Sequence, residues 1–182
     1  MVEVRLSVLI LMLLSTAKAL GTEDPRATAD PGTFVEQAMQ EGLTEVRLSE
    51  IARKASPSAA VRDFAERMMR DHRKIDTELA DVARSKRLKV PTTLDAEHQA
   101  VVEELMNVPR AAFDARYTQR MATNHSRAVD LFTQATQSLD HELAAFSRRQ
   151  LPLLEEHKRM ADALARGTSS EGPKAATGTH KD

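Results

Sequence analysis

The chain has no cysteine and no tryptophan, and aromatic residues fill only 3% of its 182 positions. Without cysteine there is no disulfide framework, no thiolate metal site and no thiol to carry a lipid anchor. Glycine and proline are sparse, at 6 and 7 copies. No Gly-rich phosphate loop, nucleophile elbow or HExxH sequence occurs, which removes the P-loop, α/β-hydrolase and zincin readings. No stretch alternates apolar and polar residues with period two, so no sheet is expected.

An excess of charge of either sign is also missing, since 26 basic residues face 27 acidic ones. The arginines, among them Arg62, Arg67, Arg73 and Arg84, are interspersed with acidic neighbours. Such a pattern is a solvated helix face and offers no nucleic-acid footprint. What the chain does have is alanine, leucine, glutamate and arginine, in a composition that is 41% hydrophobic. That is the make-up of a single all-helical domain.

The N-terminus reads as an export signal, with Arg5, an apolar run from Leu6 to Leu14, and Ala17-Lys18-Ala19 as a small-x-small cleavage site. The apolar run falls short of the roughly 20 residues that span a bilayer. Cleavage after Ala19 removes Arg5, Lys18 and Glu3, leaving 24 basic and 26 acidic residues. The expected organisation is a signal peptide over 1–19, a Pro- and Gly-containing linker over 20–32, a helical domain over 33–166 and a disordered tail over 167–182. The expected location is periplasmic or secreted, with no transmembrane segment in the mature chain.

Five helices are expected. Thr33 caps the first, with Glu36 completing a capping box, and the helix ends near Ala55. Ser56-Pro57 turns the chain into a second helix lasting to about Lys86. Asp95 caps a short third helix ending near Met106. Pro109 precedes a fourth, over roughly Arg110 to Ser138, and Asp140 starts a fifth that Gly167 stops. Apolar residues recur at spacings of three and four in each long helix: Phe34, Ala38, Leu48 and Ala52; Val61, Phe64, Met68, Ile75 and Leu79; Phe113, Met121, Ala128 and Phe132; Leu143, Phe146, Leu153, Met160 and Leu164. Four such stripes are satisfied together in a bundle, with the short helix in the connection between two hairpins.

Each stripe carries one metal-competent residue, namely Glu45, His72, His125 and His157. The second and fourth helices are each about 43 Å long, and His72 and His125 stand at their midpoints, so they share a level whichever way the helices run. His157 lies about 6 Å past the middle of its helix. Tyr117 or Asp114 would either orient His157 or belong to a second site. Asp71 points about 100° away from His72, and a helix-helix ion pair with one of the many arginines is its expected role, with support of a histidine as the sharper alternative. Three imidazoles and a carboxylate suit zinc, iron or manganese, and residue types alone do not choose among them. No Glu-x-x-His pair occurs in the second or fifth helix, so a di-iron carboxylate site in its usual form is absent.

The segments GLTEVRLSEIARKASPSAAVRDFAERMMRDH, KVPTTLDAEH, FDARYTQRMATNH and LPLLEEHKRMADAL together resemble a bacterial exported family, domain of unknown function 4142, often labelled a predicted outer membrane protein. The likeness covers about Phe34 to Ala165. It implies a ferritin-like four-helix bundle beyond the inner membrane, with Glu45, Asp71-His72, Phe113-Asp114, Tyr117, His125 and Leu151-Pro152 through His157 at the family's motif positions. It implies no activity. The outer-membrane label finds no support in the residues, since a barrel needs many alternating strands. Three functions stay open: a bundle holding a transition metal for storage, buffering or redox protection; a non-catalytic module, with a homo-oligomer or a cell-envelope protein as partner; and a hydrolase using the metal to activate water.

Overall fold

Asp30 opens the first helix in a computed structural model that describes residues 30–138 and 140–170. The expected signal peptide, most of the linker and the last twelve positions lie outside the described residues. Helix α1 spans Pro31–Ala55, α2 Ala59–Ser85, α3 Ala96–Met106, α4 Arg110–Ala135 and α5 His141–Ser170, and there is no strand among the described residues. None of these helices is long and apolar enough to cross a membrane.

Local sequence explains most of the helix ends. The Asp30 carboxylate accepts from the Thr33 amide at 2.9 Å and from its hydroxyl at 3.1 Å, with Pro31 in the first turn. Asp30, not Thr33, is therefore the cap, because a carboxylate followed by a proline suits the helix entrance better than the hydroxyl two residues on. Ser58, Asp95 and Asp140 cap α2, α3 and α5 through the amides of Val61, His98 and Leu143. Helix α2 closes without glycine. Arg87 takes the left-handed conformation at φ 59°, while the Leu88 and Arg87 amides return to the carbonyls of Ala83 and Arg84. Two ends differ from expectation. Helix α4 stops at Ala135, where Gln137 and Ser138 tighten into three-residue turns, and α5 runs through Gly167 to Ser170.

Side-chain pairings give the topology. Phe34 meets Phe132, Ser49 meets Tyr117 and Ser56 meets Asp114, so α1 and α4 run antiparallel. Arg67 meets Glu156 and Glu78 meets Gln150, so α2 and α5 are antiparallel as well. The three-residue link from α1 to α2 and the short link from α4 to α5 make two hairpins. The order is thus up, down, down, up, and the chain must return the length of the bundle between α2 and α4. That crossover carries α3, which packs across α1 and α4. Gln40 of α1 pins it, donating to the Thr93 carbonyl and accepting from the Asp95 amide, each at 3.1 Å.

The bundle holds two apolar clusters. One gathers Phe34, Ile75, Leu79, Phe132, Leu143, Phe146 and Leu154. The other gathers Leu48, Phe64, Met68, Phe113, Tyr117, Met121 and Ala161. On α5 the buried line passes through Leu154 and Ala161, leaving Leu153 and Met160 half-buried against it. After Gln150 the inward face advances four residues instead of three, following the 3.6-residue period.

Helices α1 and α2 approach closely at Gly42, where a β-carbon would meet the Asp76 Oδ1 atom at 2.0 Å. Alanine is the better helix former by about 1 kcal/mol, but here its β-carbon collides with the Asp76 carboxylate. Gly42→Ala should therefore lower the thermal midpoint, by an amount corresponding to about 1–3 kcal/mol of overpacking. In an Asp76→Ala background the same change should raise it. Calorimetry of the four proteins checks this, and a destabilising effect in both backgrounds would refute the contact as its cause.

Candidate metal centre

Between the two apolar clusters lies a polar layer. Glu45 of α1, His72 of α2, His125 of α4 and His157 of α5 are 1%, 3%, 0% and 0% exposed. Each stands where its helix's apolar stripe crosses mid-bundle, and the antiparallel packing brings those crossings to one depth. The offset expected for His157 does not keep it apart. All three pairs of imidazole centroids are 5.4 Å apart, and one nitrogen from each ring lies within 4.8 Å of the other two.

Glu45 completes the group. Its Oε2 is 2.8 Å from His72 Nε2 and its Oε1 is 3.4 Å from His125 Nδ1. His72 Nε2 and His125 Nε2 are 3.3 Å apart. Distance is not direction, however. Neither Glu45 oxygen receives a well-directed hydrogen bond, and His157 Nδ1 has no partner. Buried polar atoms left this way cost about 1–3 kcal/mol each, and native proteins keep few of them.

On two of the rings one nitrogen, by contrast, is tied down. His125 Nδ1 donates to the Met121 carbonyl at 2.9 Å, and His157 Nε2 donates to Asp71 Oδ2 at 3.0 Å. These partners assign the tautomers and leave two acceptor nitrogens, His125 Nε2 beside His72 Nε2 and His157 Nδ1 without a partner. Ligating histidines are commonly oriented in this way, one nitrogen fixed by a carboxylate or carbonyl and the other facing the ion. The 3.3 Å between the two Nε2 atoms also equals the edge of a tetrahedron of nitrogens about 2.0 Å from its centre.

Burial would raise the Glu45 carboxyl, but His125 and His72 overcome it and hold its pKa at about 2. Burial works against a charged His72, and Glu45 outweighs it, so the His72 pKa is raised. His125 is lowered by burial despite Glu45. His157 is lowered to about 4, first by burial and then by the other two rings. The group is therefore one carboxylate with two neutral imidazoles and a third whose charged form Glu45 favours, and a divalent ion would displace that proton to bind.

Asp71 takes the sharper of the two roles expected for it, support of a histidine, while its arginine partners stand on its own helix and not on a neighbouring one. It is 3.3 Å from Arg67 and 3.3 Å from Arg70 on its own helix, and it reaches across to His157. Arg67 continues the chain to Glu156 at 2.8 Å. Neither Tyr117 nor Asp114 orients His157: Tyr117 bonds Ser49 at 2.9 Å and Asp114 bonds Ser56 at 2.6 Å. Two acidic residues near the layer escaped the sequence reading. Asp76 lies one turn from His72 and Glu41 one turn from Glu45. Glu41 stood on the α1 series itself, at the spacing that singled out Glu45, and Asp76 could have been found by stepping four residues on from His72.

The profile of a family described as Domain of unknown function (DUF4142) matches residues 16–164. No curated protein and no solved structure matches the chain.

Burial raises the Asp76 carboxyl to a pKa of about 7, with His72 opposing and Glu45 adding to the rise. The folded chain then keeps a proton that the unfolded chain releases near pH 4. The stability this proton contributes is full below about pH 4 and is lost as pH rises through about 7. In metal-free protein, Asp76→Asn should accordingly raise the thermal midpoint more at pH 8 than at pH 5. Equal shifts at both pH values would contradict a protonated Asp76.

Proposed function

This chain belongs to the DUF4142 family, whose description carries no activity, and we propose that it is a metal-binding protein holding one transition-metal ion through Glu45, His72, His125 and His157. The observation that carries the proposal is the set of buried atoms without a hydrogen-bond partner, Glu45 Oε1 and Oε2 with His157 Nδ1, in one layer with the rings of His72 and His125. A cation at their centre supplies the missing partner to all of them at once. Zinc, iron and manganese each fit imidazole nitrogens with one carboxylate.

Four protein donors fill a tetrahedral shell, as in structural sites, whereas catalytic sites keep one position open. The reading is therefore retention of an ion, for buffering or protection, ahead of water activation and hydrolysis. A single site of this size suits buffering better than bulk storage. The proposed place of work is the periplasm or the extracellular space, on the strength of the N-terminal sequence pattern.

A second reading draws on the Glu45 and His72 shifts, which describe an ion pair that neutralises part of the layer without any metal. In that case the chain is a cell-envelope interaction module with a purely structural polar core.

Thermal unfolding with and without chelator separates the two. An ion present at about 100 times its Kd adds about 2.7 kcal/mol, which moves the midpoint by about 5–10 °C for a chain of this size. Metal analysis of untagged protein should find about one ion per chain, and none in a His72→Ala, His125→Ala double variant. Equal metal content in both would exclude these ligands. If Asp71 fixes the His157 ring, Asp71→Asn should weaken metal affinity about 10–100-fold while leaving helix content unchanged. Unchanged affinity on titration would make Asp71 a surface ion pair only.

A further inference from the structure

The metal centre is sealed on most sides. The two apolar clusters close it above and below. Asp76 fills the α1–α2 approach against Gly42. The α2–α5 side is closed by Asp71, with Arg67 bridging it to Glu156 at 2.8 Å. Between α1, α3 and α4 lies a cleft of about 470 Å³ whose walls stop one residue short of Glu45 and His125. Its walls include Thr44 and Asn124, both buried, which immediately precede Glu45 and His125 in the chain. Glu41 also lines it, one helical turn from Glu45, at a separation where side chains on one face are neighbours.

The charges of the cleft favour a cation. Glu41, Glu97 and Asp130 face it, against Arg120 and Arg127. Arg120 is already engaged with Glu104 at 2.8 Å. His98 is held at its Nδ1 by Asp95 at 2.8 Å.

Resting on the metal-binding reading, we propose that this cleft is the route by which a divalent cation reaches the centre, with Glu41 as the carboxylate that captures the ion and hands it to Glu45. Burial, followed by the Glu45 charge, raises the pKa of Glu41, which marks a carboxylate that gains from a passing cation. Glu41 is thus a positioning residue for loading and contributes nothing to the final shell. The short helix α3 has a matching role as the outer wall of the route.

Cobalt(II) added to metal-free full-length protein gives visible absorption bands when it is held by imidazoles, so both the rate and the extent of loading can be followed by rapid mixing. Wild type should develop the bands. Glu41→Gln should reach the same final intensity about tenfold or more slowly, as expected when a steering charge is removed. Glu66→Gln, an exposed change on α2, should load at the wild-type rate. Val101→Trp, which narrows the cleft without altering charge, should slow both loading and removal by chelator. An unchanged loading rate in Glu41→Gln and Val101→Trp, with full final intensity, overturns the route and leaves the metal centre standing. Reduced final intensity at an unchanged rate in Glu41→Gln overturns it too, because Glu41 then acts on affinity. Absence of bands in wild type removes the centre and the route together.

Discussion

A layer of four ionisable side chains, wholly enclosed between two apolar clusters, is the constraint on which the structure turns. Enclosing a carboxylate without partners is costly, and three nearby imidazoles compensate only in part, because their nitrogens do not point along hydrogen bonds to it. Helix α1 brings the carboxylate, and α2, α4 and α5 each bring one ring. No helix of the four can shift by a turn without stranding its own polar group in an apolar layer. The register of the bundle is therefore set by polar groups as well as by apolar packing.

Support for the layer comes from outside it. The Met121 carbonyl and the Asp71 carboxylate hold two of the rings by one nitrogen each, and Arg67 ties Asp71 onward to Glu156 on α5. Asp71 is sited to do this because it is the residue next to His72: while His72 turns inward, its neighbour faces the adjoining helix. One dipeptide on α2 thus serves two helices, supplying an imidazole to the buried layer and an anchor to His157.

Helical periodicity made the fold and the four converging residues legible. An ionisable residue on an apolar stripe stands out, and equal distance from the helix ends fixes a common depth. What lay beyond reach followed from contacts between helices. That Asp71 meets His157, and that Tyr117 meets Ser49 instead, depends on the azimuth of each helix in the bundle, which spacing along one chain does not specify. The apolar stripe points to Leu153 as buried where Leu154 holds that place, because steps of three and four are equally compatible with an apolar pair. The first cap moved from Thr33 to Asp30 because two overlapping capping patterns compete there, and the Asp-Pro pair wins. Residues 16–164 match the DUF4142 family, so its profile begins well ahead of the segments that suggested the resemblance.

Gln40 has a wider effect than its two hydrogen bonds suggest. By gripping Thr93 and Asp95 from the first helix, it sets where α3 begins, independently of how the chain travels there from α2. The stretch from Arg87 to Thr92 keeps its duties at the α2 end only, where Arg87 closes the helix and Leu88 and Val90 pack against the first apolar cluster. Insertions or deletions after Val90 would alter the path of the loop, while α3 would stay seated across α1 and α4, and the wall it forms beside the buried layer would remain in place.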